Sequence, residues 1–174
     1  MSGGFVIEPL GGAHDRSGFA CGVAALDRYF REQVTQDIRR RLTNCFVAVD
    51  PQGVVAGYYT LAATSLPMTD LPPEESRRLP RYPVLPAALI GRLAVAAGFR
   101  GQGLGGGFLV DALARSLRSE PAIYALLVDA KDAAAERFYV HHGCRPLASR
   151  PHSLFLALAA AARLHIGVHP HRLP

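Results

Sequence analysis

The chain has 174 residues, a formal net charge of +5 and a hydrophobic fraction of 49%, and no apolar run is long enough to span a membrane. These values predict one globular domain, residues 1–174, with a basic surface that attracts polyanions. The three widely spaced cysteines predict reduced thiols, and the N-terminus lacks a signal-peptide pattern, so we expect a cytoplasmic protein with no membrane partner.

A strand, a helix and a hairpin are predicted in the first third of the chain. Their expected bounds are Phe5–Leu10, Ala24 to about Leu42, Asn44–Asp50 and Val54–Ala63. Apolar residues at every fourth position predict the helix, and Asp50-Pro51-Gln52-Gly53 has the residues that a β-turn favours. The helix ends in Arg39, Arg40 and Arg41, which fit either a solvated helix terminus or a phosphate-binding patch.

Leu66–Pro86 is predicted to be a long proline-rich loop that carries Arg77, Arg78 and Arg81. Loops of this length in compact domains are usually functional or mobile. The three basic side chains make this loop a candidate for binding phosphate groups.

The most informative stretch is Gly91–Ser116, which contains the end of a strand, a glycine-rich turn and a helix. The strand, Ala88–Val95, is almost entirely apolar, as expected for a strand buried on both faces. The turn is Arg100–Gly107, and no Lys-Ser or Lys-Thr follows it, which excludes a Walker A loop. Glycines ahead of a helix let backbone N–H groups approach a phosphate, so we predict a phosphate site with Arg100 at its rim. The alternative is a flexible loop in a glycine-rich chain.

The remaining predicted elements are a strand, a helix, two short strands and a final helical turn: Ile123–Asp129, Ala133–His142, Cys144–Leu147, Ser153–Leu158 and Ala159–Leu164. Asp132 is expected to cap the helix and Gly143 to end it. Histidines stand in a pair and in the C-terminal tail, at His141-His142, His165, His169 and His171. Because no carboxylate or cysteine accompanies them at ligand spacing, we predict no metal site.

The motif R-x-x-G-x-G at Arg100, Gly103 and Gly105 directly follows a strand that ends in Arg-Leu-Ala-Val. It resembles the acetyl-CoA pyrophosphate loop of the GNAT N-acetyltransferases. The resemblance implies an α+β fold with a central mixed β-sheet, flanked by helices and splayed at its central strands, and acetyl-CoA as the cosubstrate. The residues then expected to bind acetyl-CoA are Leu93, Val95, Arg100, Gly101, Gln102, Gly103, Leu104, Gly105, Gly106 and Phe138.

The helix after the next strand carries a second part of this resemblance. Ala135, Phe138, Tyr139 and Gly143 match the family pattern, whereas Asp132 stands where asparagine is usual, which leaves its contact with coenzyme A open. The resemblance implies that Tyr139 is a general acid that protonates the thiolate of departing coenzyme A. An ordinary phenol, with a pKa of about 10, suits that donation. The alternative role for Tyr139 is that of a core aromatic beside Phe138.

Four short pieces are similar to the toxins of type II toxin–antitoxin pairs within this superfamily: Ser17–Gly22, Gly57–Ala62, Gly91–Val95 and Leu127–Ala130. The resemblance implies a toxin that acetylates the α-amino group of aminoacyl-tRNA and thereby blocks translation. It also implies a ribbon-helix-helix antitoxin, a homodimer, and no direct DNA binding without the antitoxin. The residues then expected to contact tRNA are Arg77, Arg78, Arg81 and Arg92.

The central strand, ALIGRLAV, has no carboxylate that could serve as a general base. A lysine amine, with a pKa of about 10.4, needs such a base, whereas an α-amine, with a pKa of about 7.7, is already partly neutral at cellular pH. The strand therefore favours an aminoacyl-tRNA acceptor. Two alternatives stay open: an acetyltransferase for a small-molecule amine or a protein N-terminus, and a non-catalytic acyl-CoA-binding regulator.

Overall fold

The computed structural model describes residues 4–164, with side chains described through residue 162. The strands are β1 (Val6–Pro9), β2 (Asn44–Val49), β3 (Val55–Pro67), β4 (Val84–Val95), β5 (Ala125–Asp129), β6 (Arg145–Pro146) and β7 (Ser153–Ala157). The α-helices are α1 (Ala24–Arg28), α2 (Val34–Arg39), α3 (Pro73–Ser76), α4 (Leu104–Leu117), α5 (Ala133–His141) and α6 (Leu158–Leu164). A π-helical turn lies at Tyr29–Gln33, and 3-10 helices lie at Met68–Asp70 and Ala97–Phe99.

The strands described form a seven-stranded sheet in the order β1-β2-β3-β4-β5-β7-β6. Helix α4 joins the neighbours β4 and β5, and a helical crossover of this kind is typical of parallel strands. The predicted element order and the mixed sheet are confirmed, whereas the splay of the central strands stays a prediction. None of the described helices is long and apolar enough to cross a membrane.

The chain groups into two compact units, each built from separate stretches of sequence. Unit 1 contains Met1–Ala63 and Leu89–Ala112, and unit 2 contains Thr64–Ala88 and Leu113–Pro174. The prediction of a single domain is not tested by this grouping.

In unit 1, β1, β2 and the first part of β3 form an antiparallel meander. The predicted turn between β2 and β3 is confirmed, because the N–H of Gly53 donates to the carbonyl of Asp50 at 3.0 Å. The Asp50 carboxylate also accepts from the backbone N–H groups of Gln52 and Val54. Gly53 has a φ of +84°, which favours glycine at this position.

The π-helical turn explains how the first helix keeps its apolar residues on one side. These residues, Leu26, Phe30, Val34 and Ile38, recur every fourth position, and in a regular α-helix such a repeat drifts by about 40° at each step. A π-helical turn holds more residues per turn, which reduces the drift. Phe30 and Val34 are accordingly both fully buried. The helix ends at Arg39 rather than at Leu42.

An aromatic cluster forms the core of unit 1. The Phe30 ring stacks on Tyr58 with ring centres 4.2 Å apart, and Phe19 meets both rings edge-on. The buried Tyr58 hydroxyl donates to the carbonyl of Leu26 at 2.8 Å, so its polar atom is satisfied. The core therefore joins the first helix to strand β3.

Gly57 in β3 has no space for a side chain. A Cβ atom there would lie 2.8 Å from the Ala94 carbonyl oxygen and 2.9 Å from the Phe108 ring. Phe108 itself is fully buried. The absent side chain at position 57 thus lets helix α4 and strand β4 pack directly on the β3 backbone.

In unit 2, β7 pairs with β5 on one side and with β6 on the other, both antiparallel. Asp132 caps helix α5, because its carboxylate accepts from the N–H of Ala135 at 2.7 Å. Gly143, with a φ of +95°, follows the helix end. Both predicted ends of α5 are therefore confirmed.

The prediction of a loop over Leu66–Pro86 is wrong at both ends. Strand β3 continues to Pro67 and β4 already begins at Val84. The N–H of Met68 donates to the carbonyl of Pro83 at 3.2 Å and closes the segment. Prolines suggested a break in structure here, but their carbonyls still accept hydrogen bonds, as that of Pro86 does from the N–H of Tyr124 at 2.8 Å.

The prediction that Ala88–Val95 is buried on both faces is also wrong. Ile90 and Ala94 are buried, but Leu93 and Val95 on the alternate face are only half-buried. An apolar run alone does not distinguish a strand buried on two faces from one that keeps an apolar face partly open.

Candidate active site

The glycine-rich turn lies in unit 1, between β4 and α4. Gly101 and Gly103 have φ values of +77° and +79°, a conformation that favours glycine. Helix α4 begins at Leu104, so Gly105 and Gly106 form its first turn rather than the preceding loop. The first N–H groups of a helix have no partner within it and carry partial positive charge. This turn therefore presents backbone N–H groups of the kind that bind anions.

Arg100 is exposed, but its guanidinium is held by a hydrogen bond within unit 1. It donates a hydrogen bond to the carbonyl of Cys21 in the loop before α1. Gly22, with a φ of +90°, lies beneath it, and a Cβ atom at that position would be 2.9 Å from the guanidinium nitrogen. Gly22 therefore leaves room for the Arg100 guanidinium, a relation that the sequence did not reveal because the two residues are far apart in the chain.

The half-buried face of β4 contains two of the residues predicted to bind acetyl-CoA, Leu93 and Val95. Their neighbour Ala96 donates its N–H to the carbonyl of Ala56 at 2.8 Å, which fixes the end of the strand. Two carboxylates of unit 1 accept hydrogen bonds from other residues of that unit. Asp27 accepts from the N–H of Cys21 at 2.8 Å, and Asp111 accepts from the Tyr59 hydroxyl at 2.6 Å.

Arg92 lies on the same strand and packs on an aromatic ring. Its guanidinium carbon is 3.5 Å from the centre of the Tyr29 ring. The backbone N–H of Arg92 donates to the Thr60 hydroxyl at 3.0 Å. The Tyr29 hydroxyl in turn donates to Asp37 at 2.9 Å, and burial raises its pKa. Arg92, predicted to contact tRNA, is thus a half-buried cation with a fixed orientation.

Tyr139 lies in unit 2, on the buried side of α5. Its side chain is 6% exposed, and burial raises the pKa of its phenol to about 12, with smaller contributions from Cys144 and Asp129. No described residue forms a hydrogen bond with the hydroxyl. The phenol is therefore protonated throughout the physiological range and its O–H is available as a donor.

Residues in α5 and at its two ends lie around Tyr139 in the sequence. Phe138 packs edge-on against Tyr139 with ring centres 5.2 Å apart and also contacts His142. The Asp132 carboxylate is used as the helix cap and is exposed, so it places a negative charge at this helix N-terminus. The binding role of Phe138 stays a prediction.

The three loop arginines lie in unit 2, directly after α3. Arg77, Arg78 and Arg81 lie along a mostly exposed stretch of chain. Within the part of the chain that the structure describes, none of them is paired with a carboxylate. They therefore present uncompensated positive charge.

The described residues contain no group of three or more histidine, cysteine or carboxylate side chains that could hold a metal ion. None of the three cysteines forms a disulfide, and all three are buried. The tail histidines His165, His169 and His171 lie outside the described residues.

Known proteins resemble this chain in sequence and in fold. Residues 19–144 match the model of the Acetyltransferase (GNAT) family. A tRNA-acetylating toxin of Mycobacterium tuberculosis (strain ATCC 25618 / H37Rv) is 34% identical over 166 residues, which cover 94% of this chain and 98% of the toxin.

Two solved structures share the fold. One is AtaT complexed with acetyl-methionyl-tRNAfMet, with a TM-score of 0.83, 26% identity and coverage of 92% of this chain and 99% of that one. The other is AtaTR bound with AcCoA, with a TM-score of 0.76, 27% identity and coverage of 92% and 97%. The predicted fold is confirmed, and this chain belongs to the Acetyltransferase (GNAT) family.

Proposed function

We propose that this protein is a toxin that transfers the acetyl group of acetyl-CoA to the α-amino group of aminoacyl-tRNA and so blocks translation. The observation that carries the proposal is the match to a tRNA-acetylating toxin over 94% of this chain. A neighbour of the same fold was solved with acetyl-methionyl-tRNA, the chemical product of that transfer.

The glycine-rich turn fits the cosubstrate. Acetyl-CoA supplies an activated acetyl thioester and carries a pyrophosphate. The N–H groups at the start of α4 are suited to bind that pyrophosphate, because Gly101 and Gly103 let the backbone approach it closely. The partly open apolar face at Leu93 and Val95 suits the uncharged arm of the cosubstrate.

Tyr139 is proposed as the general acid. The α-amine attacks the acetyl carbonyl carbon and the carbon–sulfur bond breaks. The phenol proton goes to the sulfur, the new amide loses its proton to solvent, and the phenolate regains a proton from solvent. With a pKa of about 12 the phenol keeps its proton until the thiolate develops. This phenol is a weaker acid than the ordinary phenol expected from the sequence. Its hydrogen bond to the developing thiolate therefore contributes more to catalysis than a proton transfer that precedes carbon–sulfur cleavage.

The acceptor amine needs little help to become a nucleophile. Strand β4 has no carboxylate, and Asp27 and Asp111 in unit 1 are engaged with Cys21 and Tyr59. An α-amine with a pKa of about 7.7 is partly neutral at cellular pH. These observations support aminoacyl-tRNA as acceptor, with its phosphates bound by Arg77, Arg78, Arg81 and Arg92.

Further partners follow from the same proposal. We propose that the toxin acts in the cytoplasm, where charged tRNA is found, and as a homodimer. We also propose that a ribbon-helix-helix antitoxin neutralises it, and that the antitoxin supplies any contact with DNA.

The test is to incubate the protein with labelled acetyl-CoA and total charged tRNA, and then to sequence the labelled RNA. We expect label on charged tRNA that is released with the amino acid by mild base. Uncharged tRNA, and charged tRNA whose amine is already blocked, are the controls and should stay unlabelled. The proposal would be refuted if small amines or protein N-termini acquired the label and charged tRNA did not.

A further inference from the structure

The segment from Arg77 to Val84 in unit 2 combines basic side chains with an exposed aromatic ring. Tyr82 is 60% exposed, whereas four of the other tyrosines are buried and Tyr124 is half-buried. No described residue forms a hydrogen bond or a ring contact with the Tyr82 side chain. An exposed ring among three unpaired arginines is the combination that single-stranded nucleic acid binds.

The three carboxylates that precede this segment in the chain are paired with two arginines that lie outside it. The pairs are Asp70 with Arg150 at 3.0 Å, Glu75 with Arg145 at 2.9 Å and Glu74 with Arg145 at 3.2 Å. These ion pairs reduce the repulsion between the carboxylates and a phosphate, and they leave the three arginines of the segment uncompensated.

Hydrogen bonds hold both this segment and the residues that lead into it. The Tyr124 hydroxyl donates to Glu75 at 3.1 Å, and the Ser149 hydroxyl donates to Asp70. Around the ring itself, the N–H of Tyr82 donates to the carbonyl of Pro80 at 3.0 Å, and the carbonyl of Pro83 accepts from Met68. The backbone that presents the Tyr82 ring is therefore fixed, which lowers the entropy lost when a base stacks on it.

We propose that this segment binds the single-stranded 3′ end of the acceptor RNA, with Tyr82 stacked on an unpaired base and Arg77, Arg78 and Arg81 on the phosphates. The inference rests on the proposed function, because that function requires the 3′ end that carries the amino acid to be bound. Arg145 is a positioning residue, since it acts on RNA only through Glu74 and Glu75.

The test uses an RNA oligonucleotide ending in CCA, either single-stranded or annealed to its complement, with binding measured by fluorescence anisotropy. Tyr82→Ala should weaken single-strand binding about 10-fold, as expected for the loss of one stacked base. Duplex binding should not change, nor should the slope of log Kd against log salt, because no charge is lost. Tyr82→Phe should stay within about twofold of wild type, since it keeps the ring.

Val84→Ala is the matched control, because Val84 is an exposed apolar residue two positions away that has no ring. It should bind both RNAs as wild type does. Arg145→Gln should weaken binding of both RNAs, and Glu74→Gln with Glu75→Gln in the same chain should restore it, since the repulsive carboxylates are then gone.

Equal single-strand affinity of Tyr82→Ala and wild type would overturn the proposal, as would an equal loss in Tyr82→Phe and Tyr82→Ala. If Tyr82→Ala instead weakened binding of an acidic peptide and left RNA affinity unchanged, the surface would belong to a protein partner. Ring-dependent binding of single-stranded RNA by a protein that leaves charged tRNA unacetylated would support this surface and refute the proposed function.

Discussion

The guanidinium of Arg92 lies 3.5 Å above the ring of Tyr29, whose hydroxyl is itself fixed by Asp37. A cation over a buried ring contributes on the order of 1 kcal/mol. Arg92→Met should therefore lower the free energy of unfolding by about 1 kcal/mol, as measured by urea denaturation. Arg92→Lys, which keeps the charge, should lose less. An unchanged midpoint in Arg92→Met would show that the stacking does not stabilise the fold.

Removing the Tyr139 hydroxyl tests its role as general acid. Tyr139→Phe should lower kcat by about 100-fold or more, the range for loss of a proton donor, and should abolish growth arrest in cells. Binding of acetyl-CoA should be nearly intact, because the ring stays in place. Tyr58→Phe is the control, since the Tyr58 hydroxyl donates only to a backbone carbonyl. Full activity in Tyr139→Phe would remove the assignment.

Gly22 and Gly12 form a matched pair for testing the position of Arg100. A Cβ at position 22 meets the Arg100 guanidinium at 2.9 Å in a backbone with positive φ, whereas a Cβ at position 12 meets nothing within 4 Å. Gly22→Ala should weaken acetyl-CoA binding, measured by isothermal titration calorimetry, and Gly12→Ala should not. Equal affinities of the two variants would mean that Arg100 does not depend on this contact.

We expect the two arginine clusters to contribute differently to the affinity for tRNA. Changing Arg77, Arg78 and Arg81 to glutamine should weaken tRNA binding and flatten its dependence on salt, by about 0.7 to 0.9 in slope for each phosphate that is no longer neutralised. The same change at the helix end, Arg39, Arg40 and Arg41, removes equal charge and is the control. A larger decrease in affinity for the helix-end variant would identify that patch as the phosphate-binding one.

The raised pKa values of buried thiols and phenols lead us to expect that the protein loses stability at alkaline pH. Burial raises the pKa of Cys45 to about 12 and that of Cys144 to about 11, and Tyr139 is also raised, to about 12. The unfolded chain releases these protons at lower pH, so their contribution is complete below about pH 9 and is lost as the pH rises towards 12. The free energy of unfolding should fall over that range.

Cys45→Ala is the variant that checks this interpretation. It removes one of the titrating groups, so the alkaline decrease should become shallower by at most about 1.4 kcal/mol per pH unit. An identical pH dependence in Cys45→Ala and wild type would show that the decrease has another origin.

Local patterns predicted most of the fold. The β-turn at Asp50–Gly53, the cap at Asp132 and the end of α5 at Gly143 are decided by neighbouring residues, and all three are confirmed. The glycine-rich turn could also be predicted from the sequence, because the positive φ values of Gly101 and Gly103 are ones that glycine itself favours.

Features that depend on distant partners were not predictable in this way. The hydrogen bond from Arg100 to Cys21 joins residues far apart in the chain, and so does the stacking of Arg92 on Tyr29. The extension of β4 back to Val84 was hidden by prolines, whose effect on a strand depends on which neighbour needs the missing N–H.

The surroundings of Gly57 restrict how relatives of this chain can vary. A smaller residue at position 108 would make room on the side of the Phe108 ring, but the Ala94 carbonyl would still lie 2.8 Å from any Cβ at position 57. A side-chain exchange between the two positions therefore does not relieve the clash. A homologue with a larger residue at position 57 must instead have a wider spacing between β3 and β4, so this single position reports on backbone geometry rather than on side-chain packing.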